Sequence, residues 1–220
     1  MRNKLILFTV FTLLFITFFK RIELLSLNLG LSWTFSKILP YFILVICGIL
    51  LFIQFIKINF NNLLKLIIGF IILILPFLIG FVLNPIYEGD FSKQGTSIKS
   101  NLSPKDFMND GLMVVTIPDC PFCFGAIEKL KIIKRRNPNL IIDFVVCSTK
   151  KQLLKKYIKE IDGKFSIRLA DNPEGLAKSS NFKFPTFFKV VNSKPIYQWS
   201  NDQFGVCAID DFESSKDLFN

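Results

Sequence analysis

Cys120 and Cys123 stand three positions apart in Asp119-Cys120-Pro121-Phe122-Cys123, and two thiols at that spacing can close and reopen a disulfide. The pair lies between a run of β-formers at 112–117 and a lysine-rich stretch at 126–136, whose Ile127, Leu130, Ile132 and Ile133 recur at helical spacing. A helix starting at the motif puts Cys120 at its N-terminus, where unpaired N–H groups and the macrodipole favour a thiolate. Cys123 then falls one turn in, and Pro121, which has no N–H to lose, fits an early helical position. The same spacing also suits half of a metal site or a structural disulfide. For a metal the second pair is missing, since Cys147 and Cys207 are isolated. The chain has no histidine, which also excludes Ser-His and Cys-His catalysis and haem ligation through imidazole.

The elements that must position these thiols can be read from the surrounding pattern. Runs at 112–117, 140–147 and 165–169 are β-branched or apolar and bounded by Gly, Pro or Asn. Between them, 126–136 and 151–161 are helical, the latter with Leu153, Leu154, Tyr157, Ile158 and Ile161 on one side and lysines on the other. Asn172-Pro173-Glu174 opens a short helix through Ser179. After Phe184-Pro185-Thr186, runs at 186–191 and 195–199 flank Asn192-Ser193-Lys194 and read as a hairpin. The order β–α–β–α–β–α–β–β predicts an α/β domain, a mixed sheet with helices on both faces, over 111–220. The amphipathic tail at 203–219 reads as a closing helix.

Before this domain the composition changes. Up to Ile86 the only charges are Arg2, Lys4, Lys20, Arg21, Glu23, Lys37, Lys57 and Lys65, and three apolar stretches cover 5–19, 39–56 and 64–83. The second and third approach the ~20 residues that cross a bilayer. The first is short and has a basic leading end, like a signal peptide, but bulky Phe18-Phe19-Lys20-Arg21 follows where small residues would mark cleavage. The expectation is an all-α transmembrane region of about three helices over 1–86, with an uncleaved first span, and a polar linker over 87–110. The segment at 22–36, with Trp33, is expected to lie in the membrane interface. Pro76 would kink the third span, and Cys47 reads as a small buried hydrophobe.

Three spans put the termini on opposite sides. Arg2, Lys4 and the Lys57–Lys65 loop favour a cytoplasmic N-terminus and an extracytoplasmic dithiol domain, although Lys20, Arg21 and Lys37 then lie outside, against the positive-inside tendency. The formal charge of +10 splits into +6 up to Ile86 and +4 beyond. It reads as span-flanking and helix-surface lysines, with the membrane as partner and no nucleic acid.

Cys120-Pro121-Phe122-Cys123 at a βα junction, followed about sixty residues later by Phe184-Pro185-Thr186 before a strand, resembles the active site of thioredoxin-like proteins. The resemblance covers about 111–199. It is closest to membrane-anchored, TlpA/redoxin-type members of the bacterial cell envelope, and the helix at 151–161 is similar to an insertion in that branch. It implies that Cys120 is the exposed nucleophile and Cys123 the resolving thiol. It makes Pro185 the cis-proline of a loop packed beside the dithiol, and Phe184 the residue whose backbone pairs with substrate, with Pro121 and Phe122 beside it. Taken alone, Phe184-Pro185 would read as an ordinary trans strand start. No cofactor is implied beyond the Cys120–Cys123 disulfide. The partners implied are protein thiols and disulfides of the envelope and a further redox protein that regenerates the dithiol.

The chain departs from that family at three points. Val114 stands where many members carry a buried acid six positions before the first cysteine. Asp119 replaces the usual tryptophan or glycine and would oppose a thiolate at Cys120. The intervening pair is Pro-Phe, without the histidine of strongly oxidising relatives. These features predict a restrained, narrow-substrate reductant or exchanger. Two other functions fit the same organisation: a multi-span protein resembling the DoxX or methylamine-utilisation type with an accessory thioredoxin-like domain for maturation or docking, and a redox-inactive thioredoxin-like binding domain. Cys147 and Cys207 read as buried thiols, a bridge between them being an open alternative, and five cysteines leave at least one without an intrachain partner.

Overall fold

A computed structural model of the chain describes residues 2–58, 61–92, 95–98, 107 and 109–215. It divides into two compact units, Met1–Tyr87 and Glu88–Asn220.

Among the described residues the first unit contains four helices: α1 (Arg2–Thr17), α2 (Phe19–Asn28), α3 (Trp33–Ile56) and α4 (Asn62–Leu83). With 24 and 22 residues, α3 and α4 are each long and apolar enough to cross a bilayer. At 1.5 Å per residue each measures roughly 33–36 Å, against a hydrocarbon core of about 30 Å. The pair α1–α2 is bent by 65° and forms a third candidate only if the two are counted as one broken span. This differs from the expected straight span at 5–19: the break falls at Phe18, where neither Pro nor Gly announces it. The segment at 22–36, expected in the interface, is divided between the end of α2 and the start of α3. Ser32 caps α3 by accepting from the Phe35 N–H at 3.2 Å, and both α3 and α4 continue through an internal proline, Pro40 and Pro76.

Small residues let α3 and α4 approach closely. A side chain at Gly48 would run into the Leu73 backbone, one at Gly69 into the Phe52 ring, and one at Gly80 into Leu44. Phe19, Tyr41 and Leu44 form the buried centre, with Phe15, Ile16, Phe77 and Ile86 around it. The Tyr41 hydroxyl donates to the Asn84 carbonyl. Cys47 is buried. The outward faces stay apolar, as at Leu63, Phe70 and Val82.

The second unit is a mixed α/β domain with a thioredoxin-like arrangement. Its elements are β1 (Thr96–Ser97), β2 (Gly111–Thr116), α5 (Pro121–Arg136), β3 (Ile142–Val146), α6 (Leu154–Ile161), β4 (Ser166–Leu169), α7 (Pro173–Ser179), β5 (Thr186–Val191), β6 (Lys194–Ser200) and α8 (Val206–Ser214). The sheet order is β1-β6-β5-β2-β3-β4. The strands β2, β3 and β4 are parallel, with α5 and α6 as crossovers, and β5, β6 and β1 add antiparallel neighbours on the other side. Every residue of β2 and β3 is buried, as expected for strands covered on both faces. Asn192 and Ser193 both take positive φ (52° and 57°), the primed turn that matches strand twist in a two-residue hairpin.

One face of the sheet packs Met113, Val115, Val145, Phe188 and Val190 against Leu176 of α7 and against Phe107. On the other, Phe144 meets Tyr157 of α6 (5.2 Å between ring centroids) and Phe187 stacks on Phe204 (4.1 Å), which in turn touches Phe212 of α8. Each such ring taken out of water contributes about 1.5–3 kcal/mol.

Three expectations shift in detail. The helix expected over 151–161 begins at Leu154 after a short 3-10 turn, Lys151–Leu153. The expected linker 87–110 holds a 3-10 turn at Glu88–Phe91 and the edge strand β1, while 93–94, 99–106 and 108 lie outside the described residues. The closing helix ends at Ser214, and 216–220 also lie outside them.

Candidate functional site

The dithiol sits where the central strand β2 hands over to α5. Cys120 is the N-cap residue of that helix, with extended backbone (φ −83°, ψ 113°), and its Sγ accepts from the Cys123 N–H at 3.2 Å. Its carbonyl accepts from the N–H groups of Cys123 and Phe124. The two sulfurs are joined in a disulfide, with the Cα atoms 5.2 Å apart. Pro121 takes the first helical position, where a missing N–H does no harm. Lys134, Arg135 and Arg136 in the last turn complement the negative end of the same helix.

Cys120 is 7% exposed and Cys123 fully buried. The first sulfur is thus the more accessible of the two, but it is nearly covered rather than exposed as expected. Pro121 and Phe122 are exposed, and Phe122, at 68%, is the prominent apolar group of the motif. The Phe184–Pro185 peptide is cis. Pro185 is buried and Phe184 half-buried. The hydroxyl of Thr186 donates to the Lys183 carbonyl across this loop. A groove lined by Phe122, Lys183, Phe184, Ser200, Asn201 and Asp202 brings the motif and the proline loop together. Ser200 Oγ lies 2.5 Å from the Asp202 carboxylate, and this hydrogen bond, more than the nearby Lys183 charge, holds the carboxyl below its ordinary value.

The loop between β2 and the motif has a second set of partners that sequence reasoning did not assign. Asp119 adopts a left-handed conformation (φ 55°) and its carboxylate lies 2.5 Å from Lys156 Nζ of α6. The Tyr157 hydroxyl donates to the Ile117 carbonyl at 2.7 Å. The Tyr157 ring is completely buried, stacked on Phe124 of α5 at 4.4 Å. Burial pushes its phenol above the ordinary value, so it stays neutral and able to donate. The one sequence signal was a hydroxyl-bearing ring in an otherwise aliphatic stripe.

Similarity to solved structures is distant. A secreted Mycobacterium tuberculosis disulfide oxidoreductase homologous to E. coli DsbE is 15% identical over 46% of this chain and 75% of its own, with a TM-score of 0.36. A thioredoxin-like protein from Bacteroides caccae is 13% identical over 80% of this chain and 81% of its own, with a TM-score of 0.32. No family model and no curated protein matches the chain. The thioredoxin-like arrangement is read from the strand order, the crossover helices and the helix-capping dithiol.

The remaining sequence candidates fall elsewhere. Val114 is fully buried in β2, opposite Phe144 and Phe187 on the neighbouring strands. The buried acid of this sheet is instead Asp143 on β3, held by Arg168 Nε at 2.8 Å and Ser166 Oγ at 3.1 Å. Cys147 and Cys207 carry no disulfide, so the open alternative of a bridge between them is not realised. Among the described residues no cluster of three or more Cys, Asp or Glu is placed to hold one metal ion.

Proposed function

We propose that this chain is a membrane-tethered thiol–disulfide oxidoreductase whose Cys120–Cys123 pair exchanges disulfides with envelope proteins on the extracytoplasmic side. The observation that carries this is the placement of Cys120 as the N-cap of α5, its sulfur aimed at the Cys123 N–H. In the reduced state that donor and the helix dipole stabilise a Cys120 thiolate. The thiolate attacks one sulfur of a client disulfide, forming a Cys120–client bond and releasing one client thiolate. Cys123, deprotonated, then attacks the Cys120 sulfur and releases the second client thiolate. Two electrons and two protons have passed to the client, and the Cys120–Cys123 disulfide remains. A dithiol donor of another protein returns it to the reduced form. Run backwards, the same steps oxidise a client.

The groove supports a role in holding the client: Phe122 and Phe184 offer apolar area, and Lys183 and Asp202 offer charges of both signs. Transmembrane tethering rests on α3 and α4, with α1–α2 as a broken third span. Insulin reduction by the full chain in detergent, driven by dithiothreitol, is the test. The expected result is turnover that Cys120→Ser abolishes. Equal rates for wild type and Cys120→Ser would reject the reading.

A further inference from the structure

From the contacts beneath the motif we infer that Lys156 and Tyr157, adjacent residues of α6, position and tune the Cys120 thiol. The inference rests on the redox-active reading of Cys120–Cys123.

Four residues, Ile117 to Cys120, carry the chain from β2 into α5, and α6 holds the first and the third of them. Tyr157 Oη donates to the Ile117 carbonyl at 2.7 Å, and Lys156 Nζ lies 2.5 Å from the Asp119 carboxylate. Because the ring is stacked on Phe124 of α5 and packed on Phe144 of β3, that hydroxyl has little freedom to move. It fixes the start of the short loop that delivers Cys120 in the extended N-cap geometry, with Sγ aimed at the Cys123 N–H. A Cys120 that drifts from this geometry loses the hydrogen bond that stabilises its thiolate, so Tyr157 acts on reactivity through position.

Lys156 acts through charge. Its ion pair with Asp119 is exposed, the two side chains being 72% and 59% accessible, so it adds little to stability. It nevertheless places a cation on the carboxylate next in sequence to Cys120. The charge that would oppose the thiolate is thereby largely offset. On the groove side of the motif, the charged groups Lys183 and Asp202 are of opposite sign. Asp119 and Lys156 are thus the pair whose imbalance Cys120 would feel.

The test is peptide-resolved alkylation of Cys120 by iodoacetamide against pH, in the reduced full chain in detergent. Tyr157→Phe keeps the stacked ring and removes the hydroxyl; it is expected to raise the titration midpoint so that the thiolate fraction near neutrality falls about tenfold. Lys156→Gln is expected to lower that fraction about two- to threefold, an effect that shrinks in ~1 M salt. Lys156→Arg should restore the wild-type midpoint, and Asp119→Asn combined with Lys156→Gln should cancel the loss. Unchanged midpoints in both Tyr157→Phe and Lys156→Gln would overturn the inference. If Tyr157→Phe fails to fold, the exposed Lys156→Gln variant and its Asp119→Asn partner decide alone. Insulin turnover by the wild type is scored separately. Variants that shift the midpoint of a chain unable to reduce insulin uphold the inference and sink the function, and the converse sinks only the inference.

Discussion

Residue by residue, the site combines groups whose chemistry is conspicuous in the sequence with groups that only the fold supplies. Cys120, Cys123 and the Phe184-Pro185 pair announce themselves by spacing and type. Lys156 and Tyr157 do not, because their partners Asp119 and Ile117 lie 37 and 40 positions away in sequence. Phe122 is the motif's largest exposed apolar surface, and burying it against a client would contribute about 1.5–3 kcal/mol. Phe122→Ala is therefore expected to raise KM for insulin about tenfold while leaving the rate with a small aromatic disulfide within about twofold; steady-state kinetics on both substrates separate the two. Asp202 gives a pH signature. Its folded value lies below the reference of 3.8, so its contribution to stability is complete above that reference and is lost as pH falls through the lower folded value. Chemical denaturation should show Asp202→Asn less stable than wild type at pH 6, with the difference closing as pH falls below that reference.

Most secondary structure was legible at the scale of elements because each strand and helix of the second unit carries its own period and its own stops. Asn172-Pro173 opens α7 and Asn192-Ser193 turns the hairpin, both as local chemistry dictates. Two elements escaped for physical reasons. The strand β1 is two residues long, both exposed, and exists only through its pairing with Tyr197 and Gln198 of β6. The break between α1 and α2 falls in a continuous apolar run with no helix breaker, so hydropathy reads straight across it. Trp33 begins α3 six residues before the apolar window at 39, since a cap at Ser32 and not hydrophobicity sets the start. In the first unit Gly48 lies so close to α4 that any side chain there meets the Leu73 backbone. Gly48→Leu is expected to cost about 1–3 kcal/mol by overpacking, read as a lowered melting temperature of the detergent-solubilised chain. The same change at Gly125, whose surroundings are open, should cost far less.

The whole molecule joins a helical unit with an apolar outer surface to an α/β unit bearing the Cys120–Cys123 disulfide. The proposed topology counts the bent α1–α2 pair as one broken span, so that three crossings from a cytoplasmic N-terminus carry the Cys120–Cys123 pair outside; two crossings would leave it inside. A membrane-impermeant maleimide added to intact cells after mild reduction is expected to label Cys120. Labelling only after lysis would place the domain on the cytoplasmic side and leave the exchange chemistry unaffected. The central claim is that Cys120 attacks and Cys123 resolves. Replacing Cys123 by Ala in the full chain in membranes removes the resolving step. The account predicts mixed disulfides on that variant that dissolve on reduction and vanish when Cys120 is also replaced by Ser. Adducts that persist without Cys120, or none at all from a folded Cys123→Ala chain, would contradict it.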